Sequence, residues 1–290
     1  MNCLIIQSAG VHDGMFDTWT ANHYLRECHA LAFAFQELGI TPTIWGLRHA
    51  NFYNLPKFDS FDIIFTLENY EMSWLPPTAW FGNALKVAWI IDLHVEPIDR
   101  YLAYQSYDII LHSTKSLIPK AMGFIPNAKH LWFPNCVDKR YFDLLYSTEK
   151  TIPVLFVGKK RAMIEDLVKD VGLEYHFATG LDMIKLISSA KIHFNSNIGV
   201  DINYRTFETI GLGTCLVTNN SKELRELNFV DGVNCITYNC YEDAVYKIKW
   251  LLDTGAWYEI GRAGNKLSKK HTYTERIRSI LLPEVQQHVI

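Results

Sequence analysis

The sequence predicts an α/β protein made of two tandem Rossmann-like domains that face each other across a cleft. Its strand candidates are short and continuously apolar, for example "CLIIQS" at residues 3–8 and "VLFVG" at residues 154–158. Helix-length segments separate these runs, an alternation typical of parallel sheets covered by helices on both faces. The pattern begins again after a polar, proline-ended bridge at residues 147–153. We therefore place the two domains at residues 1–148 and 149–290.

The first domain begins with the strand at residues 3–8 and a helix at residues 21–39. That helix has apolar residues at helical spacing and stops at Gly39, a favoured residue just past a helix end. Further strands are predicted at residues 41–46, 61–67, 86–92, 107–113 and 129–134.

The second domain repeats this alternation. Strands are predicted at residues 154–158, 174–180, 190–196, 213–219 and 234–239. Helices are predicted at residues 161–171, 182–189, 204–212, 221–227 and 241–252.

Composition narrows the class of protein. Hydrophobic residues make up 49% of the 290 and charged residues 20%, which fits a well-packed chain and argues against disorder. The net charge of −3 gives no overall attraction to nucleic acid or to an anionic membrane. The six cysteines are scattered without a Cys-x-x-Cys, so we expect a reducing, cytoplasmic compartment without disulfides. We also expect no signal peptide and no membrane span.

A basic cluster follows the first strand of the second domain, where Gly158 precedes Lys159, Lys160 and Arg161. Ligands of doubly wound sheets bind at the carboxyl ends of strands. Cations are disfavoured at a helix N-terminus, so three of them at this place suggest a bound anion such as a nucleoside diphosphate. The alternative is a solvated basic turn, and the local pattern does not separate the two.

A polar loop and a helix start follow the strand at residues 190–196. Arg205 and the amides of the helix start suit phosphate, and Glu208 can accept hydrogen bonds from two ribose hydroxyls. By pattern alone, an exposed Arg205–Glu208 ion pair is the simpler interpretation. The candidates for binding a nucleotide in this stretch are Asn195, Asn197, Asp201, Tyr204, Arg205, Thr206 and Glu208.

Two loops of the first domain carry further candidates. His94 lies just past the strand at residues 86–92 and is a candidate contact for a sugar, although a histidine satisfied within its loop is commoner. The loop after the first strand has two glycines, Gly10 and Gly14, without the spacing of the dinucleotide fingerprint. Gly14 is a candidate for close approach to a ligand. The candidate polar contacts in the same loop are His12, Asp13 and Asp17.

No cofactor and no metal site are predicted. The sequence contains no Asp-x-Asp, the pattern that would hold a divalent cation against a diphosphate, and no Walker A motif.

Four stretches together resemble the retaining, two-Rossmann (GT-B) glycosyltransferases, and most closely their CgeB-like spore-maturation branch. They are "FPNCVDKRYFDL", "FVGKKR", "YRTFETIGLGTCLVTN" and "HTYTERIRSIL", with Cys136 where the family usually has glycine. The resemblance covers the second half well and the first half loosely. It implies that the last helix, from about residue 271 to 290, packs back towards the first domain.

The resemblance also implies roles for the candidates. Glu208 would bind the donor ribose, Lys159 and Arg161 would hold the diphosphate, and His94 would lie beside the transferring sugar. In the loop after the first strand, Gly14 would approach the donor, and the acceptor contacts would be His12, Asp13 and Asp17. Val200 occupies the position of a second acidic residue of the family, so that role would fall either to Asp201, the next residue, or to the asparagines of the same loop. The implied reaction moves a sugar from a UDP- or GDP-linked donor to a hydroxyl acceptor, with retention and without metal, by electrostatic stabilisation of the leaving diphosphate.

Two other functions fit the same sequence. One is a non-catalytic nucleotide-sugar-binding or structural protein of the same fold. The other is a phage-type transferase whose acceptor is a hydroxylated base in DNA. The net charge does not favour DNA, although residues 115–130 form a second, weaker basic stretch.

Overall fold

The computed structural model describes residues 1–9, 25–69, 72–94, 98–143, 149–159, 162–197 and 199–289. The chain divides into two compact units, Met1–Asn135 with Tyr273–Ile290, and Cys136–Thr272. The sequence placed this boundary at residues 148 and 149. In the structure, the boundary between the units lies between Asn135 and Cys136. Val137 belongs to the second unit, because its backbone N–H donates to the carbonyl of His271 at 2.9 Å.

The described residues of the first unit form a parallel sheet with the order β2-β1-β3-β4-β5-β6. Each strand coincides with a predicted one. The strand order reverses at β1, so the topological switch point lies between β1 and β3. The strands are β1 Asn2–Ile6, β2 Thr41–Trp45, β3 Ile63–Leu67, β4 Leu85–Ile90, β5 Ile109–His112 and β6 Lys129–Trp132.

The connections in this sheet differ from the expectation of helices between all strands. Helix α1, Glu27–Glu37, confirms part of the predicted helix, whose residues 21–24 lie outside the described chain. The described connections from β2 to β5 contain 3₁₀ turns instead, at Phe58–Ser60, Thr78–Phe81 and Ile98–Tyr104. A short helix, α2 Ile118–Met122, precedes β6.

Proline and aromatic residues explain these turns. Pro76 and Pro77 just before Thr78 have no backbone N–H to donate, which disfavours a continuous helix. Large rings cover the sheet where a helix would otherwise pack. Trp45 lies 5.3 Å from Phe52 and 5.9 Å from Trp74, measured between ring centroids.

The described residues of the second unit form a parallel sheet with the order β11-β10-β9-β7-β8, and its strands confirm the predicted ones. They are β7 Ile152–Val157, β8 Glu174–His176, β9 Ala190–Asn195, β10 Cys215–Asn219 and β11 Ile236–Tyr238. The helices are α3 Ala162–Val171, α4 Gly180–Ser189, α5 Tyr204–Gly211, α6 Lys222–Glu226, α7 Tyr241–Thr254 and α8 Trp257–Ser268.

Helix α8 was not predicted, because Gly261 and Gly264 interrupt its pattern. Both glycines are contact points. A Cβ atom on Gly264 would lie 2.8 Å from the carbonyl oxygen of Asn234, and one on Gly261 would lie 3.0 Å from that of Gly213. The glycines therefore let α8 pack directly against the backbone of neighbouring segments.

The C-terminal segment belongs to the first unit, as the resemblance implied for the last helix. It comprises α9 Tyr273–Arg276, a π-helical segment Ile277–Leu281 and α10 Leu282–Val289. Thr274 donates a hydrogen bond to the Glu37 carboxylate at 2.6 Å, and the Tyr273 ring packs edge-on against Trp89 at 6.0 Å. Across the described residues, no helix has the length and apolar character needed to cross a membrane.

Candidate functional site

The switch point of the second sheet lies between β7 and β9. The chain leaves β7 to form β8 on one side and then β9 on the other, so the loops after β7 and β9 diverge. Crevices of this kind, at the carboxyl ends of parallel strands, are the usual ligand sites of doubly wound folds. Predicted site residues follow both strands: Gly158 and Lys159 after β7, and Asn197 after β9, which itself ends at Asn195.

At the end of β7, the backbone N–H of Gly158 donates to the carbonyl of His176 at 3.0 Å. This bond extends the pairing between β7 and β8. Lys159 is exposed just beyond it. Lys160 and Arg161 lie outside the described residues, so the basic cluster stays a prediction.

The loop after β9 is held by its own asparagines. The Asn195 side-chain amide donates to Oδ1 of Asn203 and to Oγ1 of Thr206, both at 3.0 Å. The backbone N–H of Asn197 donates to Oδ1 of Asn219 at 2.8 Å. Asn203 is the N-cap of α5, where its Oδ1 accepts the backbone N–H of Thr206. These contacts give Asn195 and Asn197 a role in shaping the loop.

The first turn of α5 carries the pair that the sequence singled out. Arg205 and Glu208 form an ion pair through Nη1 and Oε2, and Nη2 of Arg205 lies 3.4 Å from the carbonyl oxygen of Ala178. The two side chains are only 22% and 11% exposed, so this is not the exposed pair of the simpler interpretation. Among the described residues, the hydrogen bond of the Glu208 carboxylate is made by Oε2, and none is made by Oε1.

Three other predicted site residues close to this pair in the sequence differ in their exposure to solvent. Thr206 is fully buried against β9, so its side chain faces the interior. Asp201 is also buried, whereas Val200, at the family's acidic position, is 46% exposed. Tyr204 is half-buried at the start of α5.

Sequence reasoning missed His193, which lies in β9 behind the first turn of α5. Its Nδ1 is 2.7 Å from Oγ1 of Thr209, and its Nε2 accepts the backbone N–H of Val157 at 3.3 Å. Burial, together with the Arg205 charge, lowers the pKa of His193 to about 3, so the ring is neutral. The available signal was a histidine between the apolar residues Ile192 and Phe194 of the strand, two residues before Asn195.

Phe177 was also missed, although it follows β8 directly. Its side chain is 62% exposed, and the next residue, Ala178, is the one whose carbonyl faces Arg205. The second unit thus presents an exposed aromatic ring one residue away from that contact.

In the first unit, Glu68 follows β3 and holds the loop that follows β4. Its Oε2 accepts the backbone N–H groups of Ile91 and Asp92 at 2.5 and 2.7 Å, and its Oε1 accepts the Tyr101 hydroxyl at 2.8 Å. Loss of solvent is the main cause that raises the pKa of Glu68 to about 7, and the Asp92 charge adds to it. A carboxylate directly after the apolar run at residues 63–67 was the signal for this residue.

His94 lies in the loop that Glu68 holds. Its Nδ1 is buried and has no hydrogen-bond partner among the described residues. Burial lowers the pKa of the ring, and the Asp92 charge opposes that shift. The other candidates of this unit, Gly14, His12, Asp13 and Asp17, fall in residues 10–24, outside the described chain. In the part of the chain that is described, no group of three or more His, Cys, Asp or Glu residues is arranged to hold a metal ion.

Comparison with known proteins identifies the fold class. A glycosyltransferase from Rickettsia africae ESF-5 aligns with a TM-score of 0.66 and 12% identity, over 99% of this chain and 98% of that one. An α-glucosyltransferase in complex with UDP-glucose and DNA containing an abasic site aligns with a TM-score of 0.65 and 12% identity, over 100% of both chains. Anabaena HepE in complex with UDP-glucose aligns with a TM-score of 0.59 and 9% identity, over 97% of this chain and 99% of that one. The chain has the GT-B glycosyltransferase fold.

The family comparison concerns the second unit above all. Residues 143–282 match the family described as "Glycosyl transferase-like". Among curated proteins, none matches the chain. The matched residues include β7, the loop after β9 and α5, which together form the candidate site.

Proposed function

We propose that this protein is a glycosyltransferase that moves a sugar from a UDP-sugar to a hydroxyl acceptor. The observation that carries the proposal is the shielded Arg205–Glu208 pair at the start of α5, beside the switch point of the second sheet. The family match over residues 143–282 supports it, because the pair lies inside the matched region.

The two charged residues would bind different parts of one nucleotide. Glu208 has Oε1 available to accept a ribose hydroxyl while Oε2 keeps its contact with Arg205. Arg205 and the backbone amides at the start of α5 favour phosphate, since a helix N-terminus carries partial positive charge. Asn195 and Asn197 would contribute by holding the loop, and Gly158 by allowing close approach of a ligand to the end of β7.

The chemistry requires stabilisation of a leaving diphosphate. When the bond between the anomeric carbon and the β-phosphate oxygen breaks, negative charge develops on the nucleoside diphosphate. Exposed Lys159 and its neighbours Lys160 and Arg161 would stabilise that charge without metal, in keeping with the missing Asp-x-Asp. We further propose that the anomeric configuration is retained, as the family resemblance implies. His94 belongs to the first unit, and its contact with the sugar is a separate proposal.

UDP is the nucleotide that we favour. UDP-glucose is bound in Anabaena HepE and in the α-glucosyltransferase, which share the fold. In this chain, Phe177 offers an exposed ring on which a planar base can stack.

Two measurements test the proposal. Calorimetric titration of UDP, UDP-glucose and GDP should show binding, with UDP tighter than GDP. Release of UDP from UDP-glucose, with a panel of sugar, lipid and glucosylation-competent DNA acceptors, should then show turnover. A protein that binds none of these nucleotides contradicts the proposal. Binding without turnover on any acceptor favours the non-catalytic alternative.

A DNA acceptor is the second candidate, favoured by the full-length alignment with the α-glucosyltransferase that was crystallised with DNA. In this chain, Lys115 and Lys120 are exposed in the first unit, and the exposed residues Met122 and Phe124 follow them in the sequence. The net charge of −3 argues against strong binding of phosphate. Steeply salt-dependent binding of hydroxymethylated duplex DNA would support this candidate, and no binding at low salt would exclude it.

A further inference from the structure

A buried polar seam joins β9 to α5, directly behind the Arg205–Glu208 pair. We define the seam by four side chains, His193 and Asn195 on the strand and Thr206 and Thr209 on the helix. His193 contacts Thr209 at 2.7 Å and Asn195 contacts Thr206 at 3.0 Å. The strand residues are two apart and the helix residues three apart, so each pair lies on one face of its element. The opposite face of β9 is apolar, with Ile192 and Phe194 in the core of the unit.

His193 also closes the gap where β7 and β9 separate. Their register ends at Leu155 and His193, and the next inward N–H of β7, from Val157, donates to the ring Nε2 at 3.3 Å. Nδ1 therefore carries the proton and donates to Thr209, whose hydroxyl donates to the carbonyl of Arg205 at 2.5 Å. One chain of hydrogen bonds thus runs from the end of β7 to the first turn of α5.

This chain of bonds requires a neutral ring, because Nε2 has to accept. The low pKa of His193, which burial causes, keeps it neutral at any ordinary pH. Thr209 is fully buried as well, so water does not compete for its hydroxyl. Hydrogen bonds are directional, whereas the hydrophobic effect is not, so these bonds add an orientational constraint to the packing of α5.

We propose that His193 and Thr209 are positioning residues for nucleotide binding. Their bonds set the rotation of α5 about its axis, and this rotation sets the orientation of the Arg205 and Glu208 side chains. The inference rests on the proposed function, since it takes UDP as the ligand of that pair. Neither residue touches the nucleotide. Their effect passes through the backbone of Arg205, which Thr209 holds.

The test compares isosteric variants of two buried threonines in the same unit. Thr209→Val breaks the chain of bonds, and Thr209→Ser keeps the hydroxyl. The matched control is Thr214→Val, which removes bonds to the Ile187 carbonyl and the Lys150 amine at the opposite end of the sheet. His193→Gln is a second variant, since one carboxamide cannot reach both Val157 and Thr209. UDP affinity is measured by calorimetry well below each unfolding temperature, and amide hydrogen exchange reports on residues 204–208.

We expect Thr209→Val and His193→Gln to weaken UDP binding about fivefold or more and to speed exchange in the first turn of α5. Thr209→Ser and Thr214→Val should stay within about twofold of wild type. Equal UDP affinity in wild type, Thr209→Val and His193→Gln overturns the inference and leaves the proposed function standing. An equal loss in Thr209→Val and Thr214→Val also overturns it, because it shows a general effect of stability. A wild type that binds no UDP overturns the proposed function and the inference together.

Discussion

Glu68 accepts the backbone N–H of Asp92 at 2.7 Å, so a carboxylate that follows one strand holds the loop after the next. The neighbouring N–H of Ile91 and the Tyr101 hydroxyl complete its surroundings. This loop carries His94. The protonation of Glu68 therefore affects the stability of the segment in which the predicted sugar contact lies.

The first prediction concerns pH. The pKa of Glu68 rises from its ordinary value of 4.5 to about 7 on folding, so the folded state holds the proton more tightly. The stability that this group contributes is present below about pH 4.5 and is lost as pH rises through about 7. The free energy of unfolding of Glu68→Gln, relative to wild type, should therefore increase between pH 5 and pH 8. Urea unfolding of both proteins across this range checks it, and a constant difference would contradict it.

The second prediction concerns Glu208. Loss of a charged hydrogen-bond partner costs on the order of 1.5–3 kcal/mol, so Glu208→Ala should weaken UDP binding roughly tenfold or more. The UDP affinity of Glu208→Gln should lie between that of wild type and that of Glu208→Ala. Because the pair is shielded, stability should fall as well, since Arg205 loses its partner.

The control for Glu208 is Glu259→Gln, which removes an exposed pair with Arg262 at the same spacing in α8. It should change neither UDP affinity nor stability measurably. Calorimetry and melting curves on the three variants decide the matter, and equal UDP affinities would remove Glu208 from the site.

The third prediction concerns Phe177. Stacking of a base on an aromatic ring is worth about 1–3 kcal/mol, so Phe177→Ala should weaken UDP binding about fivefold to a hundredfold. Phe177→Trp should preserve it. Tyr246→Ala, which removes another exposed ring on α7, is the control and should have no effect. Unchanged UDP affinity in Phe177→Ala would exclude a stacked base at this position.

The fourth prediction concerns metal. If the cations of the second unit stabilise the leaving diphosphate, transfer from UDP-glucose should continue at an unchanged rate in excess EDTA. Initial rates with and without chelator check it, once an acceptor is found. A rate that collapses with EDTA and returns with Mg²⁺ or Mn²⁺ would show that a divalent cation is required.

The fifth prediction concerns packing. A Cβ on Gly264 would lie 2.8 Å from the Asn234 carbonyl and 3.1 Å from the Ile210 side chain. Gly264→Ala should therefore lower the free energy of unfolding by about 1–3 kcal/mol. Gly123→Ala, where the nearest atom is 3.4 Å away, should change it by less than about 0.5 kcal/mol. Similar stabilities of the two variants would contradict the prediction, because they would mean that α8 can shift away from the Asn234 carbonyl at little cost.

The sequence by itself determined which stretches become strands and that both sheets are parallel. Hydrophobic periodicity is local, so β1 and β7 can be located without knowing their neighbours. It also determined that Arg205 and Glu208 lie together, because residues three apart on a helix are adjacent. Resemblance to a family added the expected fold, and the comparisons confirm that fold.

Only the tertiary structure decided what lies next to these elements. The order of the strands, the shielding of the Arg205–Glu208 pair and the bond between His193 and Thr209 depend on contacts between residues distant in the chain. Helix α8 escaped prediction for the same reason, since Gly264 is explained by the Asn234 carbonyl that it packs against. Local patterns report which face of an element is buried, whereas the partner on that face is set by packing of the whole unit.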